Sequence, residues 1–159
     1  MNEQSREYLD LTEYGFVFCN AVVDGKQLRP ADPLSYYRVF NVVYRSILRT
    51  LVCSSRYFNA HQYRGSVEMY VKLSNCFRQS LPFLPRFGTD VNLDDFRSVE
   101  RTVTAQTVGD AETLGGSRDA IMNRLLTQLC WSFWQPLEEF PQASLEAYIA
   151  KVTGEMGTL

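Results

Sequence analysis

Seven arginines and one lysine stand between Tyr36 and Gly88 against a single carboxylate, Glu68, and the chain's only histidine, His61, lies among them. A guanidinium forks onto phosphate oxygens, and an imidazole relays protons near neutrality. The flanks have the opposite sign. The middle carries +7 (8 basic, 1 acidic), the first 35 residues −3 (3 against 6) and the last 71 residues −6 (5 against 11). Eleven aromatics are interleaved with the central cations, from Tyr36 and Tyr37 through Tyr57, Phe58 and Tyr63 to Phe87. Arginine among aromatics is the make-up of surfaces that hold phosphates and stack bases. An ordinary helical core seen from one side has it too.

Spacing orders the cations. Arg38, Arg45, Arg49 and Arg56 are seven, four and seven residues apart. On one helix, at about 100° per residue, they fall within roughly 40° of one another. No Asp or Glu lies between Pro33 and Val67 to pair with them at i+4. Like charges stacked without local carboxylates repel, so their counter-anions come from elsewhere. Nucleic-acid phosphates are one source. The chain's own acids at Asp94, Asp95, Glu138 and Glu139, in the same or a neighbouring subunit, are another. A solvated face covering apolar surface with its aliphatic stems is the plain alternative.

His61 closes the run Arg56-Tyr57-Phe58-Asn59-Ala60-His61. This Arg-x4-His pair resembles the signature of HEPN ribonucleases, small helical domains that dimerise to cleave RNA without metal. The likeness covers six residues, and Tyr57 stands where that family usually has a small polar residue. It implies that Arg56 and His61 would polarise a phosphate and relay a proton. Read from the residues themselves, His61 is a structural histidine at a helix end. Positions five apart on a helix diverge by about 140°, so the two side chains point apart unless Asn59-Ala60 bends the backbone.

Several elements must position these residues. Asp32-Pro33 is a helix start, and Tyr37, Phe40, Tyr44, Ile47, Leu48 and Leu51 form its buried stripe. A second helix is predicted from Ser66 to Ser80. Val67, Met69, Val71 and Leu73 also alternate as a strand would. Leu81-Pro82-Phe83-Leu84-Pro85 reads as an extended connector. Asn92 caps a third helix, with Asp94 and Asp95 in its first turn, Phe96, Val99 and Val103 inward, and Gly109 near its end. A fourth begins at Ser117 after Gly115-Gly116 and runs through Ile121, Leu125, Leu126, Leu129, Cys130, Phe133 and Trp134 to Pro136. Trp131, Phe133 and Trp134 cannot all face one core, so one of them marks a subunit contact. A short helix from Ser144 to Val152 follows. The first 30 residues admit two readings: Gly15-Phe16-Val17-Phe18 as strand with Asp24-Gly25 as a turn, or Tyr8, Leu11, Phe16 and Val23 facing a helical core.

Composition excludes several classes. Forty-five per cent apolar and 21% charged residues make an ordinary globular chain. No apolar run approaches the ~20 residues of a membrane span, and Met1-Asn2-Glu3-Gln4-Ser5 lacks a signal peptide's basic start. Cys19, Cys53, Cys76 and Cys130 are far apart, without C-x-x-C, and read as reduced, mostly buried thiols. Neither a metal nor a cofactor is expected.

The fold expected is mainly α, a single-domain bundle of four to six helices over 1–159, with a short strand or hairpin open near the N-terminus. Residues 1–33 form an arm or first element, 34–109 a basic helical core, and 117–159 acidic C-terminal helices. The function expected is a non-enzymatic, self-associating protein. Its Arg38, Arg45, Arg49, Arg56 and Arg64 hold a nucleic-acid backbone, single-stranded RNA for preference. A coat, nucleocapsid-like or ribonucleoprotein subunit in the cytoplasm or a virion fits that description. The alternatives are the ribonuclease built on Arg56 and His61, and a pure protein-interaction module.

Overall fold

A computed structural model describes residues 7–11, 15, 17–21, 33–77 and 98–133; over 7–11, 18 and 33–40 it describes the backbone alone. The elements in chain order are β1 (Glu7–Leu11), β2 (Val17–Ala21), α1 (Pro33–Ala60), β3 (Ser66–Ser74), β4 (Thr102–Asp110) and α2 (Arg118–Ser132). Strands β1 and β2 pair antiparallel from Glu7↔Ala21 to Leu11↔Val17, and Gly15 between them takes a φ of 81°. That left-handed conformation suits glycine. Strands β3 and β4 form a second antiparallel pair from Ser66↔Asp110 to Ser74↔Thr102.

The 28 residues of α1 contain four arginines and no carboxylate. Val43, Tyr44, Ile47, Leu51, Ser54 and Phe58 are buried, at the three-and-four spacing of one helical face. Helix α2 buries Ile121, Met122, Leu125, Leu126, Leu129 and Cys130, and it packs against β4. The turn between β4 and α2 also reaches α1, because a Cβ on Gly115 would stand 3.0 Å from the Ser55 hydroxyl. Val103, Ala105, Ala111, Leu114 and Phe133 complete one core with the buried faces of both helices.

A helical bundle is not what forms. Among the described residues there are two helices and two two-stranded antiparallel sheets, an α/β mix. The helix predicted over Ser66–Ser80 is instead strand β3 across Ser66–Ser74, and the one predicted from Asn92 to Gly109 is instead β4 across Thr102–Asp110. Among the described residues of the basic helical core assigned to 34–109, α1 is the helical part, and β3 and β4 are strands. Thr102, Val103, Thr104, Thr107 and Val108 are β-branched, which disfavours a helix and suits a pleated surface. Val99 and Val103, placed on one helical face, separate: Val99 is exposed and Val103 fully buried.

Other expectations stand. Helix α1 opens at Pro33, β2 covers Val17 and Phe18, and α2 follows Ser117. Ser117 makes no side-chain cap hydrogen bond, however. Phe133 is buried while Trp131 is exposed, so these aromatics do face different ways. Asp24-Gly25, Leu81–Pro85, Asn92, Asp94, Asp95, Phe96, Trp134, Pro136, Glu138, Glu139 and the helix at 144–152 lie outside the described residues.

Candidate nucleic-acid interface

Helix α1 runs unbroken through Ser54-Ser55, so Arg38, Arg45, Arg49 and Arg56 all occupy one helix. Arg45, Arg49 and Arg56 are exposed, on the side of the helix opposite Tyr44, Ile47, Leu51 and Phe58. For Arg38 the backbone position is described and places it on the same line. From Arg45 to Arg56 the row is about 16 Å long at ~1.5 Å per residue. Among the described residues neither Arg45 nor Arg56 has a carboxylate within salt-bridge distance.

Arg64 behaves differently. It lies beyond the helix and pairs with Glu112 at 2.9 Å, both side chains largely solvated. An exposed pair of this kind stabilises by about 0–1 kcal/mol. Its charge is partly answered within the chain, which sets Arg64 apart from the α1 row.

The helix end explains His61. The Tyr63 N–H bonds the Phe58 carbonyl at 2.9 Å and the Gln62 N–H bonds the Asn59 carbonyl at 3.2 Å. Gln62 is left-handed at φ 54°, and the rings of Tyr63 and Phe58 pack at 5.3 Å. Those two bonds, the left-handed residue and the apolar contact make a Schellman C-cap. His61 is the last residue before the reversal, its N–H bonded to the Tyr57 carbonyl and its ring 4.4 Å from the Tyr57 ring. The backbone does not bend at Asn59-Ala60. Arg56 and His61 thus leave the helix about 140° apart, both exposed.

No group of three or more His, Cys, Asp or Glu among the described residues could hold a metal ion. None of the four cysteines is joined in a disulfide; Cys76 and Cys130 are buried, Cys19 and Cys53 half-buried. Burial raises both buried thiols above the usual range, and a backbone hydrogen bond from Val103 partly offsets this at Cys76. Arg118 at the α2 N-terminus is turned onto Asp119 at 3.3 Å, so Gly115-Gly116-Ser117-Arg118 reads as loop and helix start. None of the described helices is long and apolar enough to cross a membrane.

Two features escaped the sequence reading. Gln128 of α2 accepts from the Gln106 N–H at 3.0 Å and donates to the Gln106 carbonyl at 2.9 Å, so its amide occupies the outer edge of β4. On β3, Glu68, Tyr70 and Lys72 form an exposed face, and the Tyr70 hydroxyl donates to Glu68 at 3.1 Å. That contact raises the tyrosine hydroxyl above its ordinary range, chiefly through the hydrogen bond and then through the carboxylate's charge. The alternation from Val67 to Leu73 was the available signal for β3. A side-chain amide pairing with a distant strand leaves none. Comparison with protein-family models, with curated proteins and with solved structures finds no match.

Proposed function

We propose that the exposed arginine row of α1 binds a nucleic-acid backbone, single-stranded RNA for preference, in a self-associating and non-enzymatic protein. The observation that carries this reading is a 28-residue helix with four arginines and no carboxylate. Its cations stand opposite its buried face, and two of them have no acidic partner among the described residues. A stacked strand presents one phosphate per ~3.4 Å, so a row of about 16 Å spans roughly five nucleotides.

Binding of this kind weakens with salt and discriminates little among sequences. Arg45→Ala with Arg56→Ala removes two phosphate contacts. Affinity for single-stranded RNA should then fall by roughly tenfold or more. The slope of log K against log salt should become shallower by about 1.4, at ~0.7 per phosphate. Fluorescence anisotropy across a salt series measures both. An unchanged affinity and slope, with helicity intact by circular dichroism, would leave the row to protein partners.

A further inference from the structure

Hydrogen bonding between β3 and β4 uses only one side of each strand. The Ala111 N–H bonds the Gly65 carbonyl at 3.1 Å, and the register continues from there. Odd-numbered residues of β3 therefore exchange bonds with β4, and even-numbered ones turn N–H and C=O the other way. Gln106 confirms this parity, because its outward groups are the ones that Gln128 meets. Along β3 the outward groups of Glu68, Tyr70, Lys72 and Ser74 have no partner among the described residues, and at Ser66 the carbonyl accepts from Tyr63 at 3.0 Å.

The side chains add two observations. Val67, Met69, Val71 and Leu73 are only half-buried, although Val103 and Ala105, their neighbours on β4, are fully buried. The apolar floor of the sheet runs out under β3. On the opposite face Glu68 and Lys72 flank Tyr70 symmetrically, two positions to either side.

We infer that β3 is the homodimer interface: two copies pair antiparallel about a two-fold axis at Tyr70, giving a continuous β4-β3-β3-β4 sheet. In this register Glu68 of each copy stands opposite Lys72 of the other, so two complementary charge pairs flank the axis. The outward backbone groups of Glu68, Tyr70 and Lys72 bond across it, a register with which the observed parity agrees. Met69 meets Val71 and Val67 meets Leu73 on the inner face, covering the half-buried row. An isologous pair of this kind closes on itself, and at each outer edge of the enlarged sheet Gln128 occupies the backbone of Gln106. The inference deepens the self-association part of the proposed function and is independent of nucleic-acid binding.

Sedimentation of the full chain over a concentration series tests it. The wild-type chain should dimerise. Glu68→Lys alone, or Lys72→Glu alone, sets like charges opposite each other twice and should raise the dimer Kd by about tenfold or more. The two together restore complementarity and should return the Kd to within about threefold of wild type. Within one chain those positions are ~13 Å apart along the strand, so a rescue cannot come from inside the monomer. Tyr70→Pro removes an outward N–H that β4 does not use, and should abolish the dimer while far-UV circular dichroism persists. A dimer indifferent to all these changes would overturn the β3 edge and leave self-association standing. A chain monomeric at every concentration would overturn both.

Discussion

The two edges of the β3–β4 sheet receive opposite treatment. At β4 the outer backbone meets α2: Gln128 holds both polar groups of Gln106, and Val103 and Ala105 are sealed in the core. At β3 the outward groups from Glu68 to Ser74 are unoccupied among the described residues, and the inward side chains are half-covered. An open strand edge is a template for further pairing, which proteins commonly block. This chain covers the β4 edge at Gln106 and leaves the β3 edge open among the described residues. The contrast places the packed core on the β4 side, and the inferred dimer contact would use the β3 side.

That division is broken most directly by truncating each side in turn. Leu126 of α2 is fully buried, so Leu126→Ala should cost about 2–5 kcal/mol in denaturant melts. Val71 of β3 is half-buried, and Val71→Ala should cost the monomer roughly 1 kcal/mol. It should weaken dimerisation as well. Equal costs for the two, measured at a concentration too low for dimers, would show that β3 is as much core as the buried face of α2.

Alkaline pH probes the same contrast at smaller amplitude. Burial raises the Cys130 thiol in the folded chain, whereas an unfolded cysteine ionises near pH ~8.5. A folded pKa above the unfolded one gives stability that is complete below pH ~8.5 and is lost as pH rises. At pH ~10 the loss for Cys130 should be about 2 kcal/mol. Cys76 at the end of β3 is also raised, with the Val103 backbone hydrogen bond working against burial, and should add less. In Cys130→Ala, unfolding free energy should fall less steeply between pH 8 and ~10 than in the wild type. An unchanged slope would mean that water reaches the thiol.

Sequence pattern made α1 legible because one mechanism governed it throughout. A proline start, apolar residues at three and four, and arginines on the far side all favour the same helix. Arg45, Arg49 and Arg56 are found where that pattern puts them. The second half of the basic segment was illegible for a definite reason. In Ser66–Ser74 the apolar residues alternate, but Met, Leu and Lys are also good helix formers, and pattern and propensity disagree. The sheet wins there because β4, 28 residues beyond the end of β3, supplies a β-branched partner in register. Pairing at that distance is a tertiary fact. For the same reason Glu68 reads in sequence as a lone carboxylate in a basic band, and its place beside Tyr70 and Lys72 on the exposed face of β3 follows only once that strand is paired. Arg64 likewise gave no sign of its partner, Glu112, 48 positions away.

The smallest change in energy sharpens the comparison furthest. Gln128 is exposed, and its two hydrogen bonds to Gln106 lie at the sheet's rim. Gln128→Ala should therefore cost only about 1 kcal/mol of stability. Its effect on assembly should be larger than that figure suggests. With Gln128 gone, the N–H and C=O of Gln106 turn outward unanswered, and β4 becomes a second open edge on a sheet already open at β3. A closed pair then becomes a unit with two sticky ends, and assembly can continue past the dimer. Light scattering should show wild type stopping at the dimer and Gln128→Ala growing beyond it. Gln128→Glu keeps an acceptor for the Gln106 N–H but loses the donor to its carbonyl, and its added charge should hold copies apart. Growth should then be weaker than with alanine. Were Gln128→Ala to stop at the dimer as wild type does, α2 itself would be shielding the β4 edge. The difference between the two edges would then rest on the helix and not on its one glutamine.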